Sequence, residues 1–350
     1  MHQGKRIVVI GAGIVGASLA YHLAGKGANV TVVEAGEVAS GVTATSFAWL
    51  NTTHDAPDPI AALRSAAIDS YHRLEHELPA VEIRWTGALC YGADIQPGAD
   101  SRITRQRIQA LEPRLRNPPE HAQFKAEEGA LDAVQTTHAL IAGAQAHGTT
   151  LLTHTQVLGF RMHGSQVTGV ETSLGVIDAD VVVLAAGTGI PALTKLLGVP
   201  LPIDASPAIF IRYNASPGIV RTLISNPAME VRESAEGTWL AAEDYLDDPP
   251  ENQAAAIARR TAQAIAGELE GVTFIEPQLA CVGLRPIPAD DIPIIGQLPG
   301  ISGVYVCAMH PGVTLAAIVG RLASEEIMED RICPALAPCR PERFFQAENG

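Results

Sequence analysis

The first 34 residues carry two apolar runs separated by a stretch of helical periodicity. Ile7 to Ile10 is unbroken in its hydrophobicity, too short for a helix and closed by glycine, so it is expected to be a strand buried on both faces. Gly11-Ala12-Gly13-Ile14-Val15-Gly16 follows and opens a helix predicted to reach about Lys26. A second apolar run, Asn29 to Val33, ends in an acid, Glu34. Strand, glycine turn, helix, strand and terminal acid in that order form the dinucleotide-binding βαβ unit. Gly11 permits the tight turn, Gly13 lets backbone approach a pyrophosphate, and Gly16 lets the helix lie close on the sheet. The phosphates then meet a helix N-terminus, and Glu34 is placed for the ribose hydroxyls.

The pattern beyond Glu34 does not continue as a regular βαβ array. A small-residue loop, Gly36 to Asn51, leads to a helix predicted from Pro59 to Leu78, where Leu63, Ala67, Ser70 or Tyr71 and Leu74 recur at helical spacing. Residues 82–126 mix short strands between Glu82 and Tyr91 with one helix from Thr104 to Leu111 and a break at Asn117-Pro118-Pro119, as an inserted piece would. A helix from Asp132 to Ala146, a strand from Thr150 to Thr155 and an antiparallel meander between Val157 and Ile177 come next. Val181 to Leu184 is again fully apolar and ends in Ala185-Ala186-Gly187, which predicts a central parallel strand beside the first. Residues 203–280 alternate: strands at Ala208–Tyr213, Glu230–Glu233 and Thr238–Ala242, a helix from about Glu251 to Leu269, and a strand near Val272 to Glu276. Ile292–Ile295 and Val304–Ala308 restore the buried pattern before a helix from Val313 to about Met328, and the proline-rich residues 332–350 are expected to be a surface tail.

With 350 residues, 47% of them hydrophobic, the chain is long enough for about two domains. A net charge of −14 with 24 basic residues argues against nucleic acid and anionic membranes as partners. No apolar run approaches the length of a membrane span, and the first strand begins by Lys5 without a leader, so a cytoplasmic location is expected. Five widely spaced cysteines without a CxxC and eleven dispersed histidines predict reduced thiols and no metal site.

Five segments together resemble the FAD-dependent D-amino-acid oxidase superfamily, above all the glycine oxidases and the sarcosine-oxidase-like amine oxidases. They are Gly11–Gly16 with Glu34; Ala39-Ser40-Gly41 with the loop after it; Val181–Gly187; Gly283-Leu284-Arg285-Pro286 followed by Ile294-Ile295-Gly296; and His310–Leu315 at the last helix. They span nearly the whole chain in the family's order. The resemblance implies an α/β (α+β) architecture: a Rossmann-like FAD-binding domain of the glutathione-reductase type and a discontinuous substrate domain on a mainly antiparallel sheet. Residues 1–80, 127–203 and 281–331 would form the first, and 81–126 with 204–280 the second.

Carried over residue by residue, the resemblance implies FAD held by Gly11, Gly13, Ile14, Val15, Gly16, Glu34, Ala35, Ser40, Gly41, Thr43, Thr45, Ser46, Val157, Ala186, Gly187, Gly283, Arg285, Gly312, Val313 and Thr314. Free N–H groups at residues 312–314 would face the negative charge of reduced flavin. Arg285 would pair with a substrate carboxylate, for which a guanidinium gives a bidentate grip; the alternative partner is a nearby acid such as Asp290 or Asp291. His310, Tyr213, Tyr245 and Trp49 are further candidates near substrate, with His54 on the same loop as Trp49. Two departures stand out. The second arginine that glycine oxidases carry before the last helix is replaced by His310-Pro311-Gly312, and Gly283 stands where sarcosine oxidases place the cysteine that links FAD, so non-covalent FAD is expected.

The activity implied is oxidation of a C–N bond α to a carboxylate in glycine, an N-substituted glycine or a D-amino acid. The imine would hydrolyse to an oxoacid and an amine, with electrons passing to oxygen or to a carrier. The missing arginine and the apolar stretch Ala208–Ile211 favour a secondary amine with an apolar arm. The competing readings are a D-amino-acid dehydrogenase, a nicotinamide-dependent dehydrogenase on the same βαβ unit, and a non-catalytic flavoprotein subunit. Oligomeric state stays open.

Overall fold

The computed structural model describes residues 4–52, 58–92, 101–245, 249 and 252–345. Its first layer is a six-stranded sheet in the order Ile294–Gln297, Val304–Ala308, Val181–Leu184, Arg6–Ile10, Asn29–Val33, Thr150–Leu152, parallel except for the antiparallel edge pair at Ile294–Gln297. The unbroken apolar runs are explained by burial on both faces. Ile7 and Val9 pack with helices Ile14–Gly25, Ala61–Glu77, Ala133–Ala146 and Gly312–Glu329, whereas Val8 and Ile10 pack under the three-stranded meander Val157–His163, Gln166–Thr172, Gly175–Asp178.

The second layer is an eight-stranded sheet in the order Ile275–Pro288, Ile203–Ala215, Thr238–Asp244, Met229–Ala235, Leu223–Asn226, Ala88–Cys90, His121–Lys125, Arg102–Thr104. All its pairs are antiparallel except Leu223–Asn226 with Ala88–Cys90. The helix Ala254–Glu268 covers one face, and the other turns towards the first layer through Phe47, Phe210, Leu240 and Ala88. Parallel and antiparallel sheets, one carrying the glycine turn and one standing over it, give the α/β (α+β) architecture that the resemblance implied.

Several expectations need correction. Residues 332–345 are not a surface tail: Leu336 and Cys339 are fully buried in the core of the first layer, where their turn packs on Ile294–Gln297 and helix Ala61–Glu77, Arg340 pairs with Glu326, and Arg343 Nε lies 2.6 Å from Asp290. The prolines there shape two short 3₁₀ turns at Pro334–Cys339 and Pro341–Phe344 that dock onto the core. The strand expected near Val272–Glu276 runs instead over Ile275–Pro288 and crosses the expected boundary at 280/281 without a break, because its long pairing with Ile203–Ala215 straddles it. Ile83–Arg84, assigned to the inserted piece, pairs with Gly129–Leu131, which also pairs with Trp49–Leu50. Among the described residues, no helix is long and apolar enough to cross a membrane.

Candidate active site

A cavity of about 760 Å³ runs from the glycine turn to the face of the eight-stranded sheet. Its nucleotide end is built by the βαβ unit. Gly11 has φ +107°, and a Cβ there would lie 2.5 Å from the Ala185 carbonyl oxygen, so only glycine makes this turn. Gly16 does not touch the cavity; a Cβ on it would meet the Gly11 carbonyl at 2.0 Å, and the helix therefore lies on the strand end as expected. Gly13 is the cap residue, without a side-chain hydrogen bond, of a helix whose first turn, including Ile14 and Val15, lines the cavity. The Glu34 carboxylate accepts from the Ala12 N–H at 2.7 Å and the Gly36 N–H at 2.8 Å, which locks the acid beneath the turn with lone pairs to spare.

Of the other cofactor candidates, Ala35, Ser40, Gly41, Thr43, Thr45, Ser46, Val157, Ala186, Gly187, Gly283, Gly312, Val313 and Thr314 all line the same cavity. Several hydroxyls are already engaged, however. Ser40 Oγ donates to the Glu37 carbonyl at 2.7 Å, Thr43 Oγ1 accepts from the Ile14 N–H at 3.2 Å, and Thr314 Oγ1 donates to the Trp49 carbonyl at 3.0 Å. The loop thus closes on itself through side chains and presents backbone to the cavity. The last helix begins at Gly312 after Pro311, so its first N–H groups have no intrahelical acceptor and carry its positive end to the cavity wall. The shape, the acid and the two helix N-termini fit an adenine dinucleotide that carries a flavin.

At the sheet end, Arg285 lies on strand Ile275–Pro288 and lines the cavity. Its Nη2 donates to Ser206 Oγ at 3.1 Å and meets the Pro207 carbonyl at 3.5 Å, while its buried Nε has no partner. Asp290, the alternative partner weighed from the sequence, is taken by Arg343 at 2.6 and 2.9 Å. His310 also lines the cavity; burial, reinforced by Arg285 and Arg64, pushes its imidazole down to about 4. Trp49 lines the cavity and its indole Nε1 donates to Glu128 at 2.8 Å, so its polar atom is spent inside the protein.

Tyr213 and Tyr245 are not at the cavity. Tyr213 is fully buried on the opposite face of the sheet and donates to the Ala258 carbonyl at 2.8 Å; Tyr245 packs against the same cluster. Strand parity explains this: Ile209, Ile211 and Tyr213 share the helix-covered face, while Phe210 packs on the other with Phe47. His54 lies outside the described residues.

Two charged residues on the cavity wall were missed. Arg64 sits within the apolar stripe of helix Ala61–Glu77, between Leu63 and Ala67, a charge at a core position that was itself the signal; its Nε is 3.0 Å from Asp58, with both side chains under 10% exposed. Glu230 lies on strand Met229–Ala235 and faces the cavity, where burial and then Glu243 push its carboxyl up to about 7.

A two-layer fold with a dinucleotide cradle under a substrate-sized, charge-lined wall defines a flavin-dependent oxidoreductase. The chain belongs to the FAD dependent oxidoreductase (DAO) family, whose model matches residues 6–326. It is 26% identical to a glycine oxidase of Pseudomonas putida, over 97% of this chain and 99% of that protein. It is 25% identical to a D-amino acid dehydrogenase of Cereibacter sphaeroides, over 92% of this chain and 91% of that protein. The solved glycine oxidase of Geobacillus kaustophilus shares the fold with a TM-score of 0.84 at 19% identity, covering 97% of this chain and 99% of that one. FAD, not a nicotinamide as substrate-level oxidant, is the family's cofactor, which sets aside the nicotinamide-dependent alternative.

Proposed function

We propose that this protein oxidises the C–N bond of an amine α to a carboxylate, in glycine, an N-substituted glycine or a D-amino acid. The observation that carries the reading is Arg285: a guanidinium on the cavity wall with a buried, unpartnered Nε and no carboxylate within ion-pair distance among the described residues. A half-buried guanidinium whose Nε is shut off from solvent and unpaired is costly, and a substrate carboxylate would complete it. FAD, when bound, supplies the two-electron acceptor, held by the turn from Gly11 to Val15, Glu34, the loop 40–46, Val157, Ala186–Gly187 and residues 312–314.

The chain's own residues bind, orient and exclude water. Arg285 fixes the carboxylate and therefore the position of the adjacent C–H bond. Ala208, Phe210 and Phe47 make an apolar wall suited to the arm of a secondary amine. His310 is neutral at pH 7, so it serves as a hydrogen-bonding and packing group instead of a second cation. The N-terminus of the last helix favours negative charge at its end of the cavity. Non-covalent attachment is supported by the cysteines: Gly283 faces Thr45, and the cysteine that does line the cavity, Cys307, is fully enclosed with its thiol pushed far up by burial.

The test is anaerobic addition of glycine, N-alkyl glycines and D-amino acids to the yellow protein. Bleaching by a member of this set is expected, and none bleaching overturns the reading. Readmitting air distinguishes an oxidase, which recovers colour at once, from a dehydrogenase that needs a carrier. Acid precipitation is expected to release the colour; a yellow pellet would show a covalent link.

A further inference from the structure

Glu230 is a carboxylate with almost nothing to hold it. It lines the cavity, and the hydrogen bond that its Oε2 accepts from Ser225 Oγ is marginal at 3.5 Å. A recessed carboxylate with so little support leaves most of its lone pairs open towards the cavity. Its place in the sheet is set by register. Strand Met229–Ala235 is three interstrand steps from the strand bearing Arg285, about 14 Å of backbone. Ala242 and Phe210 line the cavity between them. Opposite charges thus share one wall and one space, and the reach of the two long side chains brings them close enough for Arg285 to act on Glu230.

The groups around Glu230 deepen the negative field. Glu243 and Asp244, on the neighbouring strand, repel its charge, and Arg285 attracts it across the cavity. Ser225 offers its hydroxyl from the strand on the other side. Cys90, one strand further, has a thiol pushed up to about 12 and is neutral. Arg232, two residues along on the same strand, is committed to the Phe47 and Leu131 carbonyls at 2.8 and 2.9 Å and does not neutralise it.

We propose that Glu230 receives the substrate's amino group while Arg285 holds its carboxylate, and that it takes the ammonium proton. In that step an N–H bond breaks, an O–H bond forms on Glu230, and the electron pair stays on nitrogen, where it would be available to close the C=N bond; FAD, when bound, would supply the two-electron acceptor for the α-hydrogen and its pair. A carboxyl poised near neutrality is matched to this exchange. The inference rests on the amine-oxidation reading and assigns an acceptor for the ammonium proton.

The test compares wild-type holoenzyme with Glu230→Gln, using N-methylglycine and glycine as reductants and acetate as an amine-free carboxylate. Glu230→Gln is expected to keep its FAD, bind acetate (followed by the flavin spectrum) as well as wild type or better, lose about 10- to 100-fold in kcat/KM for the amines, and lose the acidic limb of the pH profile near 7. Glu230→Asp, which keeps the charge at a shorter reach, should retain that limb and so covers a poorly folding Gln variant. Unchanged kcat/KM and pH profile in Glu230→Gln, or an equal loss of acetate binding, overturns the inference and leaves the amine-oxidation reading standing. If wild-type flavin is reduced by no amine at all, that reading falls and this one with it.

Discussion

The glycine turn and the eight-stranded sheet border the same cavity but are made in opposite ways. The turn is mostly local: Gly16 on the Gly11 carbonyl and Glu34 on the Ala12 and Gly36 amides close within residues 11–36, and Gly11 adds a distant contact with the Ala185 carbonyl. The sheet is assembled from distant pieces, with Ala88–Cys90 pairing to Leu223–Asn226, and Arg285 standing across two intervening strands from Glu230. One region holds a cofactor by backbone shape, which sequence spacing encodes directly. The other selects a substrate by side-chain charge, and those charges meet only through register. The comparison predicts that substitutions divide cleanly, changing cofactor affinity in the first region and catalytic specificity in the second.

The strongest test of that division is Arg285→Ala. Losing one partner of a desolvated charge pair costs about 2–5 kcal/mol, so kcat/KM for an α-amino acid should fall by roughly 30- to several thousand-fold with FAD content unchanged. An amine lacking a carboxylate serves as control; equal oxidation of it by wild type, or full activity of the variant on the acid, would break the assignment. On the cradle side, Glu34→Ala should weaken FAD binding by roughly 10- to 150-fold while leaving the substrate preference of the reloaded enzyme unaltered, as measured by dialysis and flavin absorbance. Full FAD retention after extensive dialysis would remove Glu34 from the cofactor's grip.

His310 sharpens the comparison through pH. Its folded value of about 4 lies below the ordinary 6.5, so the native state binds fewer protons than the unfolded chain between those values. Stability from this group is complete above about 6.5 and is lost as pH falls towards 4, by an amount on the order of 1–3 kcal/mol. Melting temperature followed against pH should therefore drop less steeply for His310→Gln than for wild type. The smallest effect is expected at Tyr213→Phe, which deletes the bond to the Ala258 carbonyl: about 1 kcal/mol of stability by denaturant titration, with kcat/KM unchanged. A loss of activity without loss of stability would return Tyr213 to the site.

Residues 6–34 were legible because a strand, a turn and a helix N-terminus need particular residue types at fixed spacing. The two-sided burial of Ile7–Ile10 and Val181–Leu184 was legible for a related reason, since a parallel strand covered on both faces tolerates no polar position. Tyr213 was misplaced although its parity with Ile209 and Ile211 was visible, because nothing in the sequence says which face of a strand meets a helix and which a cavity. The burial of residues 332–345 depended on how Ile294–Gln297 and helix Ala61–Glu77 come together in space, and Arg343 finding Asp290 across more than fifty residues could not be read from either. Arg64 and Glu230 show the same division: the sequence placed one in an apolar stripe and one in a strand, but only packing turned both onto one cavity. Spacing along the chain determines backbone-shaped sites; sites made of opposed side-chain charges are decided by the tertiary fold, because register and sheet order set which charges share a space.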